Sequence, residues 1–255
     1  MRIFFALFLL SFFAWSPCVE AKDSTATQAS YDEDDLDSDP LEFMNRPVFE
    51  FNRVVDGILI DPFAAMYKSA VPIVAQNRVT NFLDNLVEPI TMVNDSLQAK
   101  PDKVVESFCR FLLNTVFGVL GLFDVAEKLG LPAHKESFNT TLKYWGVPQG
   151  PYIVLPVLGP ASPRFILGLG VDYFTDPFNY YMIQNNETGL MYTRTVARFM
   201  ITRADMVDDI KNFRETSIDF YAAMRSFYKQ YMNANREGDT VQYNSPSLKE
   251  FMFDD

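Results

Sequence analysis

Along most of the chain, apolar side chains recur with a helical period. After Asp39-Pro40, Leu41, Met44, Val48, Phe49 and Phe51 keep that spacing. Asp suits a helix cap and Pro the first helical position, so the first helix is expected here, kinked by Pro47. Residues 73–86 place Ile73, Val74, Val79, Phe82, Leu83 and Leu86 on one side. Pro89 opens a short helix to about Leu97. Pro101 opens another, with Val104, Val105, Phe108, Phe111, Leu112, Val116 and Phe117 apolar. Gly118 and Gly121 punctuate its end, and Phe123 to Leu129 reads as a further short helix. From Trp145 to Arg164 the period stops. Gly146, Pro148, Gly150, Pro151, Pro156, Gly159, Pro160 and Pro163 break any helix, and only Tyr152 to Leu155 suits a short extended piece. Helices resume at 164–173 and near 188–202. Met206, Ile210, Phe213, Phe220, Met224, Phe227 and Tyr231 then alternate four- and three-residue steps, with Ser217 filling the gap. That predicts one helix of about 27 residues, roughly 40 Å long, packing against a core. The fold class read from spacing is all-α, with a Gly/Pro-rich loop segment around 145–164.

The chain ends do not share this pattern. Met1-Arg2 is a positive start and Ile3 to Trp15 an apolar run of thirteen residues, short of the about 20 a membrane helix needs. It fits the core of a secretory signal peptide, residues 1–21, with Val19-Glu20-Ala21 as the cleavage pattern. Cys18 offers a second reading, in which the signal ends before it and Cys18 carries a lipid. Pro17 and Trp15 fit that signal poorly, and both readings stand. Either way the protein is exported. Residues 22–38 are polar and acidic and read as a disordered linker. The acids here lack the central Gly and terminal Glu of an EF-hand loop. The helical domain runs from 39 to 234, and 235–255 is a polar tail.

Composition narrows the classes. Average usage predicts roughly 18 Gly and 13 Pro. The chain has 11 and 15, with 24 Phe, which again leans helical. Net charge is −11, and 22 Lys and Arg against 33 Asp and Glu argue against nucleic acid as a partner. Two Cys exclude a disulfide framework, and one His leaves little room for zinc or His-based catalysis.

Candidate chemistry is sparse. There is no G-x-S-x-G elbow and no glycine-rich phosphate loop. His134 is read as an exposed loop residue, Cys109 as a buried inert thiol. No catalytic, cofactor or metal residues are assigned. The anomaly is polar residues set inside apolar helices: Asn81, Asn85, Glu88, Asn94, Arg110, Asn114 and Asp124. A buried unpaired amide costs about 1–3 kcal/mol, and a charge costs more, so these groups need partners. One reading is an internal network, with Arg110 bonded to an acid such as Glu88 or Asp124. The other is a polar wall on an apolar cavity, suited to an amphipathic ligand.

The same residues carry a resemblance. Asp39-Pro-Leu-Glu-Phe-Met-Asn-Arg46 with Phe49-Glu-Phe-Asn52, Arg78-Val-Thr-Asn-Phe-Leu-Asp-Asn-Leu-Val-Glu-Pro89 and Arg110-Phe-Leu-Leu-Asn-Thr115 occur in order. Gly121-Leu-Phe-Asp-Val-Ala126, Trp145-Gly-Val147, Gly150-Pro-Tyr-Ile-Val-Leu-Pro156 and Gly159-Pro160 with Arg164 follow. Together they resemble the MlaA/VacJ family of outer-membrane phospholipid-transport proteins. The resemblance implies a ring-like arrangement of amphipathic helices lying in the membrane, on the periplasmic side of the outer membrane. It implies an amphipathic conduit that removes mislocalised phospholipids from the outer leaflet. Its implied partners are phospholipids, trimeric porins and a soluble periplasmic lipid carrier, with no cofactor and no enzymatic step. The embedded polar residues become candidates for channel lining or for bracing the ring. Two departures stand out: the poor lipidation signal before Cys18, and Phe165 where the family commonly has Asp. The rival reading is a porin-associated structural protein without direct lipid transport.

Overall fold

The structure, a computed structural model, describes residues 39–234. The signal peptide, Cys18, the acidic linker and the polar tail lie outside the described residues. Eleven α-helices and one short hairpin make up the described part. In order they are α1 (Glu42–Val55), α2 (Asp61–Ala70), α3 (Ile73–Asn85), α4 (Glu88–Leu97), α5 (Pro101–Val116), α6 (Val125–Lys128) and α7 (Phe138–Tyr144). Strands β1 (Ile153–Leu155) and β2 (Gly159–Ala161) follow. Then come α8 (Pro163–Thr175), α9 (Pro177–Gln184), α10 (Thr188–Thr216) and α11 (Phe220–Ala234). The all-α reading holds.

Proline sets many helix starts, because its missing N–H is one no helix would bond at that point. Pro62, Pro89, Pro101, Pro163 and Pro177 each sit in the first two positions of a helix. Ser162 and Asp176 cap α8 and α9 through the amides of Phe165 and Phe178. Pro47 lies inside α1, and the helix continues through it. A π-helical turn, Asp56–Ile60, joins α1 to α2. Val71-Pro72 then breaks the chain, and α3 departs at 115° to the α1–α2 rod. No single described helix is long and apolar enough to cross a membrane; this bent pair passes that test only jointly.

The Gly/Pro-rich segment holds more order than its spacing suggests. Residues 153–155 pair antiparallel with 159–161, with Val154 opposite Pro160. Asn45 and Asn52, two turns apart on α1, bind the hairpin side as a strand would. Asn45 donates to Tyr152 O at 2.9 Å and accepts from Val154 N at 2.9 Å. Asn52 donates to Leu155 O at 2.8 Å and accepts from Val157 N at 2.7 Å. Phe49, between them, packs with Tyr152, Val154, Tyr221 and Tyr228 in the main apolar cluster.

The expected single helix from 206 to 231 is corrected. It is two helices, α10 and α11, broken where Ser217 turns extended. Ser217 Oγ bonds back to Phe213 O at 2.5 Å, and Asp219 Oδ1 accepts from Ala222 N at 3.2 Å to start α11. Side chains that compete for backbone partners end one helix and begin the next. Apolar spacing continues across the break because Phe213 of α10 packs on Phe220 and Phe227 of α11, while the buried face of α11 is the neighbouring one of Tyr221, Arg225 and Tyr228.

Candidate functional site

Polarity is inverted in much of this fold. Among the described residues, 19 buried side chains are polar or charged and 15 are apolar, while 39 large apolar side chains are exposed. Water-soluble domains do the reverse, keeping buried polar groups few and apolar patches small. In α5, Ser107, Arg110 and Asn114 point inward, while Val105, Phe108, Leu112 and Val116 face out. In α4, Glu88, Thr91, Asn94 and Asp95 are buried with Ile90, and Gln98 is buried just after its end, while Val93 and Leu97 are exposed. Both helices are amphipathic with the polar face inside. Phe43, Phe51, Ile58, Phe63 and Met66 extend the outer apolar surface along α1 and α2.

Arg110 anchors the inner face. Its Nε meets Glu88 Oε1 at 2.9 Å and an Nη meets Asp124 Oδ2 at 2.8 Å. The other Nη donates to Leu131 O. Both acids expected from the sequence are therefore partners at once. Asn114 Nδ2 donates to Asp124 Oδ1 at 3.1 Å, and its carbonyl accepts from Val125 N and Ala126 N at 2.8 and 2.9 Å. Asp124 also takes Glu127 N at 2.9 Å, so these two side chains start α6. Asn85 Nδ2 donates to Thr115 Oγ1 at 3.0 Å, with Gly121 packed on its side chain. Asn81 Nδ2 reaches Leu122 O at 3.5 Å.

The two carboxylates differ. Burial pushes Glu88 up, and Arg110 offsets this only in part. Burial also works against Asp124, but donors from Glu127 N, Arg110 and Asn114 outweigh it and hold the carboxyl low. Burial weakens the Arg110 cation, yet its two acids leave it more basic than usual. Glu88 Oε2 and Asn85 Oδ1 are buried without donors among the described residues. Both residues line a cavity of about 30 Å³, with Arg110, Asn114, Asp124 and His134. That volume holds one or two waters and lies well below the roughly 300 Å³ where ligand pockets begin.

The structure thus gathers Asn81, Asn85, Glu88, Arg110, Asn114 and Asp124 around one cavity. Asn94 belongs elsewhere. It donates to Asp172 Oδ1 at 3.1 Å and accepts from Thr141 Oγ1 at 2.8 Å, joining α4, α7 and α8. Gln98 extends this chain to Thr141 and Glu136.

His134, expected exposed, is buried. Its Nε2 lies 2.9 Å from Asp95 Oδ2 and 3.2 Å from Ser107 Oγ. Ser107 also donates to that Asp95 oxygen at 3.1 Å. These are the residue types of a catalytic triad without its geometry, since one ring nitrogen faces both partners and Ser107 is fully buried. Cys109, expected buried, is half-buried. Arg164 is buried with no carboxylate partner among the described residues; Asn139 Oδ1 at 3.0 Å and Val147 O at 2.8 Å accept from it. Asn45, Asn52, Asp95, Ser107 and Gln98 went unassigned in the sequence. The signal for them was the same as for Arg110, a polar residue at an apolar-patterned position.

Comparison with known proteins agrees with this architecture. An uncharacterized Rickettsia typhi protein is 38% identical over 208 residues, covering 80% of this chain and 78% of its own. The Escherichia coli intermembrane phospholipid transport system lipoprotein MlaA is 30% identical over 220 residues, covering 83% and 84%. A chain solved in work on the structural basis for maintenance of bacterial outer membrane lipid asymmetry superposes with a TM-score of 0.67. It is 34% identical and covers 77% of this chain and 98% of its own length. The MlaA lipoprotein family matches residues 37–235, more than half of the sequence, and the chain belongs to that family.

Proposed function

We propose that this protein is the outer-membrane component of an intermembrane phospholipid transport system. Relatives carry that function in their names, and a structural neighbour comes from work on outer-membrane lipid asymmetry. The observation that carries the reading is the inverted polarity. Thirty-nine exposed large apolar side chains need an apolar surrounding, which acyl chains supply. Moving one such side chain out of water is worth about 1.5–3 kcal/mol. About three of them match the roughly 5–6 kcal/mol of a single myristoyl anchor. A body of this kind holds to a leaflet with or without a lipid on Cys18. Relatives named as lipoproteins favour acylation of Cys18 over cleavage after Ala21.

In this reading the helices form a passive amphipathic conduit, not an enzyme. Phospholipids leave the outer leaflet through it and pass to a soluble periplasmic carrier, with trimeric porins as neighbours. Energy comes from downstream. Glu88, Arg110, Asn114 and Asp124 brace the conduit instead of lining it, because they bond one another around a water-sized space, with Asn85 held beside them by Thr115. Asn94 braces a second junction.

Native mass spectrometry of a mild-detergent extract tests this. A conduit retains phospholipid, and a bracing role means Asn114→Ala lowers stability without changing which lipids are retained. Extracts free of phospholipid, but still bound to porin, would establish the structural reading instead.

A further inference from the structure

Most described arginines hold a carboxylate, among them Arg46 and Arg53 on α1, Arg110 on α5, and Arg194 and Arg198 on α10. Arg78 on α3 has no carboxylate partner among the described residues. Its contacts are one carbonyl, Leu122 O at 3.5 Å from an Nη, and the face of Phe123, with 4.3 Å from the guanidinium carbon to the ring centre. A guanidinium carries five N–H donors around its rim. One of them is engaged here, through a long bond, and the aromatic ring covers a face of the cation and not its rim. The acids close to these residues in the chain are taken. Asp84 is held by Lys135 and Arg198. Asp124, next to Phe123, accepts from Arg110, Asn114 and Glu127 N. Arg78 is half-buried, so an anion can reach it from outside the chain.

The surroundings are ordered and apolar. Asn81, one helical turn after Arg78, donates to the same Leu122 oxygen at 3.5 Å. Arg78 Nη1 and Asn81 Nδ2 thus converge on one atom, with the Phe123 ring beside it. Two glycines hold the turn that presents this ring. Phe123 N donates to Gly118 O at 2.9 Å. A Cβ on Gly118 would collide with Phe123 O, and one on Gly121 with the Asn85 side chain. Between the glycines, Val119 and Leu120 have φ of +54° and +57°, a left-handed conformation that side chains avoid, a β-branched one most of all. Packing within the protein does not offset that strain, since Val119 is 58% and Leu120 62% exposed. Phe117 and Phe123 on the same turn are exposed too, as is Val74, one helical turn before Arg78. Strained backbone that displays apolar side chains points to a contact made outside the chain.

We propose that Arg78, with Asn81 and Phe123, binds the phosphate of a phospholipid headgroup, while Val74, Val119 and Leu120 meet its acyl chains. The mixture of groups selects the occupant. A guanidinium fork without a carboxylate matches the oxygens of a phosphate. The neighbouring apolar side chains match hydrocarbon. Free phosphate would satisfy the first group and not the second, and a neutral lipid the reverse. The inference rests on the transport reading in one respect, that phospholipid reaches the protein.

Native mass spectrometry of the full mature chain in maltoside micelles tests it. The chain is titrated with short-chain phosphatidylglycerol and, separately, with the matching diacylglycerol. The native chain should bind phosphatidylglycerol at least about tenfold more tightly than diacylglycerol. Arg78→Gln should erase that preference. Arg78→Lys, which keeps the charge and loses the fork, should retain part of it. Phe123→Leu removes the ring, leaves the turn apolar, and should weaken phosphatidylglycerol binding at unchanged helix content. Arg53→Gln, at an exposed cation already paired with Glu50, should change nothing. The site is overturned, with the transport reading intact, if the preference survives in Arg78→Gln or falls equally in Arg53→Gln. Equal binding of diacylglycerol by the native chain, or displacement of the lipid by inorganic phosphate at equal concentration, overturns it in the same way. A native chain that binds no phosphatidylglycerol overturns both.

Discussion

Arg110→Met separates a bracing residue from a channel-lining one. Arg110 is 3% exposed, and its acids Glu88 and Asp124 are 7% and 18% exposed at the side chain. Removing the cation leaves Glu88 charged in a space with room for one or two waters. Breaking a buried pair in this way costs about 3–5 kcal/mol. Asp124 loses less, because Glu127 N and Asn114 still donate to it. A domain of this size loses about 2–4 °C in Tm per kcal/mol, so the variant should unfold about 10 °C lower. Glu88→Gln added to Arg110→Met removes the orphaned charge and should restore at least half of the loss. Circular dichroism during heating in detergent reads all three chains. If Arg110→Met lowers Tm by less than about 2 °C, or the second change restores nothing, Glu88 is hydrated without Arg110. The network would then face open water, and the bracing role would be wrong.

Other expectations follow from the same geometry. Gly121 has φ +94° and a Cβ there would lie 2.4 Å from Asn85 Cβ, whereas Gly130, at φ +86°, has open space around it. Gly121→Ala should therefore cost well over the about 1 kcal/mol of left-handed strain expected for Gly130→Ala, measured as paired denaturant midpoints. Asn45→Ala orphans Tyr152 O and Val154 N, so hydrogen exchange at 152–161 should speed up while α4 and α5 stay protected. Glu88 has a folded pKa above its unfolded value, so it binds its proton more tightly in the folded chain. Its contribution is fully present below about pH 4.5 and is lost as pH rises through the folded pKa. Acidifying from pH 7 toward 4.5 should thus stabilise the native chain relative to Glu88→Gln; a Tm difference that stays constant with pH would contradict this. Phe108→Glu, on the outer face of α5, should weaken partition into phospholipid vesicles without altering helix content.

Much of the helical order was legible because its signals are local. Prolines at helix starts and the glycines after α5 act within one turn. The polar residues embedded in α3 to α5 were visible too, since each breaks an apolar pattern, and the Arg110 partners were within 22 residues. What spacing did not disclose depends on distant chain. Asn45 and the hairpin backbone it binds are 107 residues apart. His134 looks exposed from sequence because its own stretch, Leu131 to Lys135, is loop-like and Pro-containing; Asp95 and Ser107, from two other helices, bury it. The break between α10 and α11 was hidden because Ile210, Phe213, Phe220 and Met224 keep one period across it. Nor does spacing say which face of an amphipathic helix points inward. In α4 and α5 the polar face does, and that choice is set by the solvent around the protein.

The central claim, transport of phospholipid out of the outer leaflet, is tested most directly in cells. Outer-leaflet phospholipid can be measured by labelling intact cells with a membrane-impermeant amine reagent and quantifying modified phosphatidylethanolamine. Deleting the gene should raise the labelled fraction, and restoring the native chain should return it to its starting level. An unchanged labelled fraction after deletion, with unchanged detergent sensitivity, would contradict the account.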